Sequence, residues 1–144
     1  MLDQTRSLLL PFHTKKPLFF ASGGKTRQAS SKNGLLALSA QCTQPDIVLI
    51  HDAARPLIPH SVISRCIAGA KTHGACTAAI PTQDTIAAAD ADGFIHCIPD
   101  RSMLHQIQTP QAFSFSLILQ AHLSLSGDAA VTDDTAVARL AGHD

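Results

Sequence analysis

The chain has 144 residues, 45% of them apolar and 15% charged, enough to bury one core and too little charge for disorder. Eleven Lys plus Arg balance eleven Asp plus Glu, which argues against a general affinity for nucleic acid or anionic membranes. Every one of the eleven acids is Asp, so HExxH metalloprotease chemistry and any Glu-based acid–base pair are excluded. Trp and Tyr are absent too, which removes the usual stacking platforms for single-stranded nucleic acid.

Cys42, Cys66, Cys76 and Cys97 form no CxxC and stand in stretches that read as buried, so reduced core thiols are expected. The N-terminus holds only a short apolar run, an early Asp3 and no clear cleavage site, a poor signal peptide. No stretch approaches the ~18 apolar residues of a membrane span. A cytoplasmic protein is expected.

In chain order, Thr5 to Leu10 suits a helical turn, and Leu18 to Ala21 reads as a short strand ending in the turn Ser22-Gly23-Gly24. Thr26 to Ala40 predicts a helix, with Leu35, Leu36 and Leu38 at compatible spacing. Asp46 to Ile50 is the clearest strand, a β-branched run without alternation that suits a strand covered on both faces. Ser61 to Ala70 predicts a helix stopped at Gly74, and Cys76 to Ile80 another strand. Thr85 to Ala89 and Phe94 to Ile98 flank Asp90-Ala91-Asp92-Gly93 as a hairpin. A loop of mixed character then leads to helices over Ser116 to Leu125 and Thr132 to Ala141. The alternation predicts one α/β domain with a mainly parallel sheet and a hairpin arm.

Six segments carry possible chemistry. Gly23-Gly24-Lys25-Thr26 resembles a P-loop at first sight, but the first glycine of that pattern would fall on Phe19. It is either a plain turn or a turn whose amides and helix start face an anion. His51-Asp52-Ala53-Ala54-Arg55-Pro56 follows the strongest strand, where open α/β sheets place ligands. It offers a metal or hydroxyl ligand beside a phosphate fork, or simply a local Asp–Arg ion pair. Asp84-Thr85 and Asp100-Arg101 lie at the ends of the hairpin strands, where they could hold a phosphorylated polyol or be solvated surface. Thr109-Pro110-Gln111 and Thr132-Asp133-Asp134 read as loop or cap chemistry, with Thr132 a suitable N-cap. The eight histidines show no metal-ligand spacing.

Taken in order, these pieces resemble the 2-C-methyl-D-erythritol 4-phosphate cytidylyltransferase family. The resemblance rests on Val48 to Pro56, Gly23-Gly24 with Arg27 and Ser30, and Gln83-Asp84-Thr85-Ile86. It continues in Asp100-Arg101, Gln108 to Phe113 and Val131-Thr132-Asp133-Asp134, about residues 20–142 in all. The wording around Gly23 to Ser30 is similar to the cytidylyltransferase half of bifunctional versions fused to a cyclodiphosphate synthase.

The resemblance implies a Rossmann-like nucleotidyltransferase domain that joins CTP to methylerythritol phosphate with Mg²⁺ and releases pyrophosphate, a step of non-mevalonate isoprenoid synthesis. By position, Asp52 would bind Mg²⁺ and nucleotide, and Arg55 and Arg101 would act on the reacting phosphates. Gly24 and Ser30 would line the nucleotide site, while Thr85, Arg101, Thr109 and Thr132 would hold the polyol phosphate. The arm, about 82–101, would reach into a partner subunit of a homodimer. Neither a nucleic acid nor a membrane is an expected partner. The family's opening glycine- and arginine-rich loop with its lysine, and its closing Asn-x-Lys segment, have no counterpart here. A single partial domain over 1–144 is therefore expected, lacking the first βαβ unit, with exposed sheet edges and no turnover on its own. A cytidylyltransferase for another polyol phosphate, such as ribitol 5-phosphate, and a non-catalytic dimerisation or binding remnant are the alternatives.

Overall fold

The computed structural model describes residues 2–9, 16–41, 43–125 and 131–143. Helix α1 spans Leu2–Leu9, and its Arg6 guanidinium lies 5.6 Å from the centroid of the Phe20 ring. Helix α2 spans Arg27–Ser39, and Thr26 caps it by accepting a hydrogen bond from the Ala29 amide at 3.1 Å. Then come β1 (Ile47–Ile50), α3 (His60–His73) and β2 (Ala75–Pro81). The arm holds β3 (Ala88–Ala89) and β4 (Ile95–Cys97). A 3₁₀ turn over Arg101–Met103 leads to β5 (His105–Ser114), α4 (Phe115–Ser124) and α5 (Asp134–Leu140). Among the described residues no helix is long and apolar enough to cross a membrane.

The α/β class stands, but the pairing differs from the parallel sheet that the alternation predicts. The main sheet has the order β1-β5-β2, and β5 runs antiparallel to both neighbours. Strands β1 and β2, joined through α3, therefore share a direction while β5 lies between them. The arm connects β2 to β5, so the two pair as the legs of one long hairpin. Thr82 N–H continues that pairing by donating to Leu104 O at 3.1 Å.

Strand β5 is the element the sequence hid, since Pro110 and three glutamines made it read as a loop. Pro has no amide to give a central strand. The sheet accommodates it with an irregularity: Thr77 faces Gln111 and Ala79 faces Ile107, so three residues of β5 stand opposite Ala78 alone. Pro110 lies in that bulge, where no ladder donor is required.

Beyond the bulge, β5 alternates in the ordinary way. Phe113 faces a core with Leu35, Phe115, Ile118, Ala121, Val137 and Ala138, while Ala112 faces a second core with Cys66 and Ala70. Strand β1 divides likewise, Val48 and Ile50 to the first core and Ile47 and Leu49 to the second. Its unbroken apolar run reflects cover on both faces, as expected, rather than strand direction.

Other predictions shift. Leu18 to Ala21 forms no ladder; Leu18 and Phe19 line a groove with Leu35, Leu38 and Val48, since an apolar run specifies burial and not pairing. The N-cap of α5 is Asp133, not Thr132. Cys66 is buried and Cys76 partly buried, but Cys97 is exposed on the arm; all three are free thiols, and Cys42 lies outside the described residues. Burial pushes the Cys66 thiol pKa up, with the neighbouring Cys76 adding to the effect.

Gly69 brings α3 against β2: a Cβ there would stand 2.6 Å from Cys76 Sγ and 2.8 Å from Cys76 Cβ. Gly69→Ala gains about 1 kcal/mol of helix propensity but overpacks at a cost of about 1–3 kcal/mol. A net destabilisation is expected, read as a lower urea midpoint at an unchanged m-value.

Candidate functional site

The carboxyl end of β1 opens onto a cleft of about 1050 Å³ whose lining includes His51, Arg55, Thr77, Gln108 and Thr109. The loop after β1 is a tight turn in which Arg55 N–H donates to Asp52 O at 3.0 Å. His51 Nε2–H donates to Arg55 O at 2.8 Å, closing the loop a second time. The β1–β5 register pairs Ile50 with Gln111, so its continuation sets Asp52 opposite Thr109. There a side chain takes over from the ladder, and Asp52 N–H donates to Thr109 Oγ1 at 3.2 Å. Asp52, Arg55 and Thr109 therefore form one wall at the strand end, of which Arg55 and Thr109 line the cleft.

Arg55 Nε and Asp52 Oδ2 stand 3.5 Å apart, with the side chains 50% and 43% exposed. A pair so long and so wet contributes little stability. The local ion pair exists, yet both groups remain free to turn toward a ligand. An Arg fork beside a carboxylate at a strand end can grip phosphate oxygens and share a cation with them. Among the described residues no group of three metal-ligating side chains occurs. A single half-exposed carboxylate fits Mg²⁺ held jointly with phosphate oxygens rather than in a protein cage.

The other expected site residues stand elsewhere. Gly24 N–H donates to Ser30 Oγ at 2.9 Å, and Ser30 Oγ–H donates to Thr26 O at 2.9 Å. This turn precedes α2 and shares no hydrogen bond with Asp52, Arg55 or Thr109 among the described residues. A side chain at Gly24 would collide with Ala29, so the loop shape depends on glycine. Thr85 and Arg101 are exposed at the base of the arm, where Arg101 Nη1–H donates to Gln83 O at 3.0 Å. Asp100 caps the 3₁₀ turn, and the Ser102 amide and hydroxyl hold its carboxyl below the usual carboxylate range. Thr132 is exposed just before α5.

A buried polar cluster beneath this surface escaped sequence reasoning. Asp134 is fully buried; its Oδ2 accepts from Arg27 Nη1 at 2.5 Å and from Ser31 Oγ at 3.4 Å. Its Oδ1 accepts from His122 Nε2 at 2.9 Å. Burial alone would raise the Asp134 pKa, but the hydrogen bond from His122 and the Arg27 charge outweigh it and hold the carboxyl below its ordinary range. The signal in the sequence was His122 itself, one turn after Ile118 on the apolar stripe of α4. A polar side chain on a buried face must find a partner.

The family described as IspD, 2-C-methyl-D-erythritol 4-phosphate cytidylyltransferase, matches residues 2–144. The chain belongs to this family. It is 49% identical over 123 residues to the bifunctional enzyme IspD/IspF of Bradyrhizobium diazoefficiens, a match covering 84% of this chain and 30% of that protein. It is 46% identical over 117 residues to the 2-C-methyl-D-erythritol 4-phosphate cytidylyltransferase of Syntrophotalea carbinolica, covering 81% of this chain and 49% of the relative. The 4-diphosphocytidyl-2C-methyl-D-erythritol synthase of Anaerococcus prevotii superposes with a TM-score of 0.83 at 28% identity, over 99% of this chain and 61% of that one. The Thermus thermophilus cytidylyltransferase gives 0.72 at 28% identity, over 91% and 64%. The match thus covers between 30% and 49% of the length of these relatives.

Within this family member, the Arg27–Asp134 pair sets a pH dependence. Arg27→Met leaves the buried carboxylate without its cation, at an expected loss of about 2 kcal/mol near neutral pH, moderated because the guanidinium is 37% exposed. A depressed folded-state pKa stabilises fully above the unfolded value near 4. That stabilisation disappears as the pH falls through the lower folded-state value. Urea midpoints of the two proteins should therefore converge with acidification below about pH 4; a gap that stays constant would assign the loss to packing.

Proposed function

We propose that this chain carries the site at which the cytidylyl group of CTP is transferred to 2-C-methyl-D-erythritol 4-phosphate, with release of pyrophosphate. The observation that carries the reading is the Asp52–Arg55–Thr109 wall at the carboxyl end of β1 in a member of this family. In the reaction an acceptor phosphate oxygen forms a bond to the α-phosphorus of CTP as the bond to the bridging oxygen of pyrophosphate breaks. No covalent enzyme intermediate is required, so positioning and charge stabilisation supply the rate.

Arg55 offers a planar fork to the reacting phosphates, and its stretched bond to Asp52 leaves it able to reorient. Thr109 keeps Asp52 at the cleft through the Asp52 amide. Asp52 would hold Mg²⁺ together with the nucleotide phosphates, and the ion would offset their charge. Gly24 and Ser30, at the start of α2, form the nucleotide side. Thr109 and Thr132, with Thr85 and Arg101 contributed by an arm, form the acceptor side.

The arm is read as an interface with a second copy, making a homodimer. Phe94, Ile95, Ile98 and Met103 are 72%, 67%, 61% and 79% exposed, an apolar surface suited to cover by a partner. Sedimentation should show a dimer, and Phe94→Asp a shift toward monomer.

The test of function titrates methylerythritol phosphate, ribitol 5-phosphate and CTP with Mg²⁺ into the protein, with pyrophosphate release measured in parallel. Methylerythritol phosphate is expected to bind better than ribitol 5-phosphate, and Arg55→Gln to weaken it about tenfold, as for a lost charged hydrogen bond. Tighter ribitol 5-phosphate would move the assignment to that polyol. Binding without release is expected of the chain alone, release well above blank would overturn the expected lack of turnover, and no binding by any of the three would overturn the reading.

A further inference from the structure

Gln111 is 1% exposed and uses both ends of its amide. Its Oε1 accepts from the Asp134 amide at 3.1 Å, and its Nε2 donates to Asp133 Oδ2 at 2.8 Å. The orientation is fixed by chemistry, because one partner only donates and the other only accepts. Asp133 is otherwise committed to α5: Oδ1 accepts from the Ala136 amide at 2.8 Å and Oδ2 from Thr135 Oγ1 at 2.9 Å. Gln111 therefore grips a rigid helix start rather than a free side chain.

What lies on either side gives this grip its meaning. Two residues back on β5, Thr109 receives the Asp52 amide at 3.2 Å. One residue before Asp133 stands exposed Thr132. Bulged β5 and the start of α5 each present a threonine, and the Gln111 amide ties the two elements together. An apolar residue would fill the same space without setting their register.

We propose that Gln111 is a positioning residue that fixes Thr132 relative to the Asp52–Thr109 wall and so shapes the acceptor-phosphate side of the cleft. The proposal rests on the assignment of Thr109 and Thr132 to the acceptor under the function above. Gln111 itself touches neither substrate nor metal in this role.

The experiment compares the parent, Gln111→Glu, and Gln111→Glu combined with Asp133→Asn. Glu can still accept from the Asp134 amide but sets a carboxylate oxygen against Asp133 Oδ2. Asn at 133 restores the bond with its polarity reversed and keeps an oxygen for the Ala136 amide. In ligand-free ¹H–¹⁵N spectra, Gln111→Glu should move the amides of Asp52 and Thr132, and the double substitution should return them. Changes confined to residues 111, 133 and 134 would overturn the proposal.

Titration then separates positioning from general damage. Methylerythritol phosphate should bind about tenfold more weakly to Gln111→Glu and recover in the double variant, with CTP–Mg²⁺ within about twofold throughout. Equal weakening of both ligands would overturn the positioning role. If the parent binds neither ligand, the functional reading fails and the amide shifts alone decide the proposal. Should Gln111→Glu not fold, Gln111→Met, similar in volume and lacking both bonds, is read against the same criteria.

Discussion

The central place of β5 is the constraint on which the rest of the molecule depends. A strand between two others must satisfy both ladders, and this one carries Pro110, which has no amide to give. The bulge opposite Ala78 solves that problem on the β2 side, where pairing resumes at Ala79 and Ile107, while on the other side the β1 ladder ends at Ile50 and Gln111. Where the ladder stops, the Thr109 hydroxyl substitutes for a backbone acceptor and receives the Asp52 amide. The residue before the proline is thus the one whose side chain takes over from the β1 ladder and holds the Asp52 backbone.

Charge is handled differently above and below the sheet end. Asp52 and Arg55 are about half exposed, so water supports both and their mutual attraction is weak. Asp134 is fully buried and survives as an anion because Arg27, Ser31 and His122 all donate to it. His122 makes one such bond through Nε2, while its buried Nδ1 finds no partner among the described residues. The Arg27–Asp134 attraction spans α2 and α5, tying the element after the Gly24 turn to the element after Thr132.

The sequence was legible where one physical rule decides the outcome. The apolar run Ile47 to Ile50 could only be a strand covered on both faces, and Asp90 to Gly93 could only be a turn. It was least legible where tertiary context overrides local preference. Gln106, Gln108 and Pro110 argue against a strand individually, and only the partners on both sides, together with the bulge, make one. The parallel sheet failed for a related reason: two-sided burial follows from helices on both faces and carries no information about direction. In the candidate site, Asp52 and Arg55 were found because they follow a strand end directly. The Gln111 contacts, at separations of 22 and 23 residues, and the His122–Asp134 bond, at 12, have no local signature.

The residues assigned to the acceptor are held with unequal stiffness. Thr109 belongs to a central strand flanked by two cores, and Thr132 adjoins a helix start gripped by Gln111 and Asp133. Thr85 and Arg101 belong to an arm whose strands have two and three residues and whose apolar side chains face outward. So short a ribbon is marginal in water without something packed on it. The Arg101 bond to Gln83 O closes the base of the arm but does not anchor it to the sheet end. A site built this way has a preformed wall and a second side whose order depends on cover. In such an arrangement the ordering cost of the arm falls on whatever association covers it.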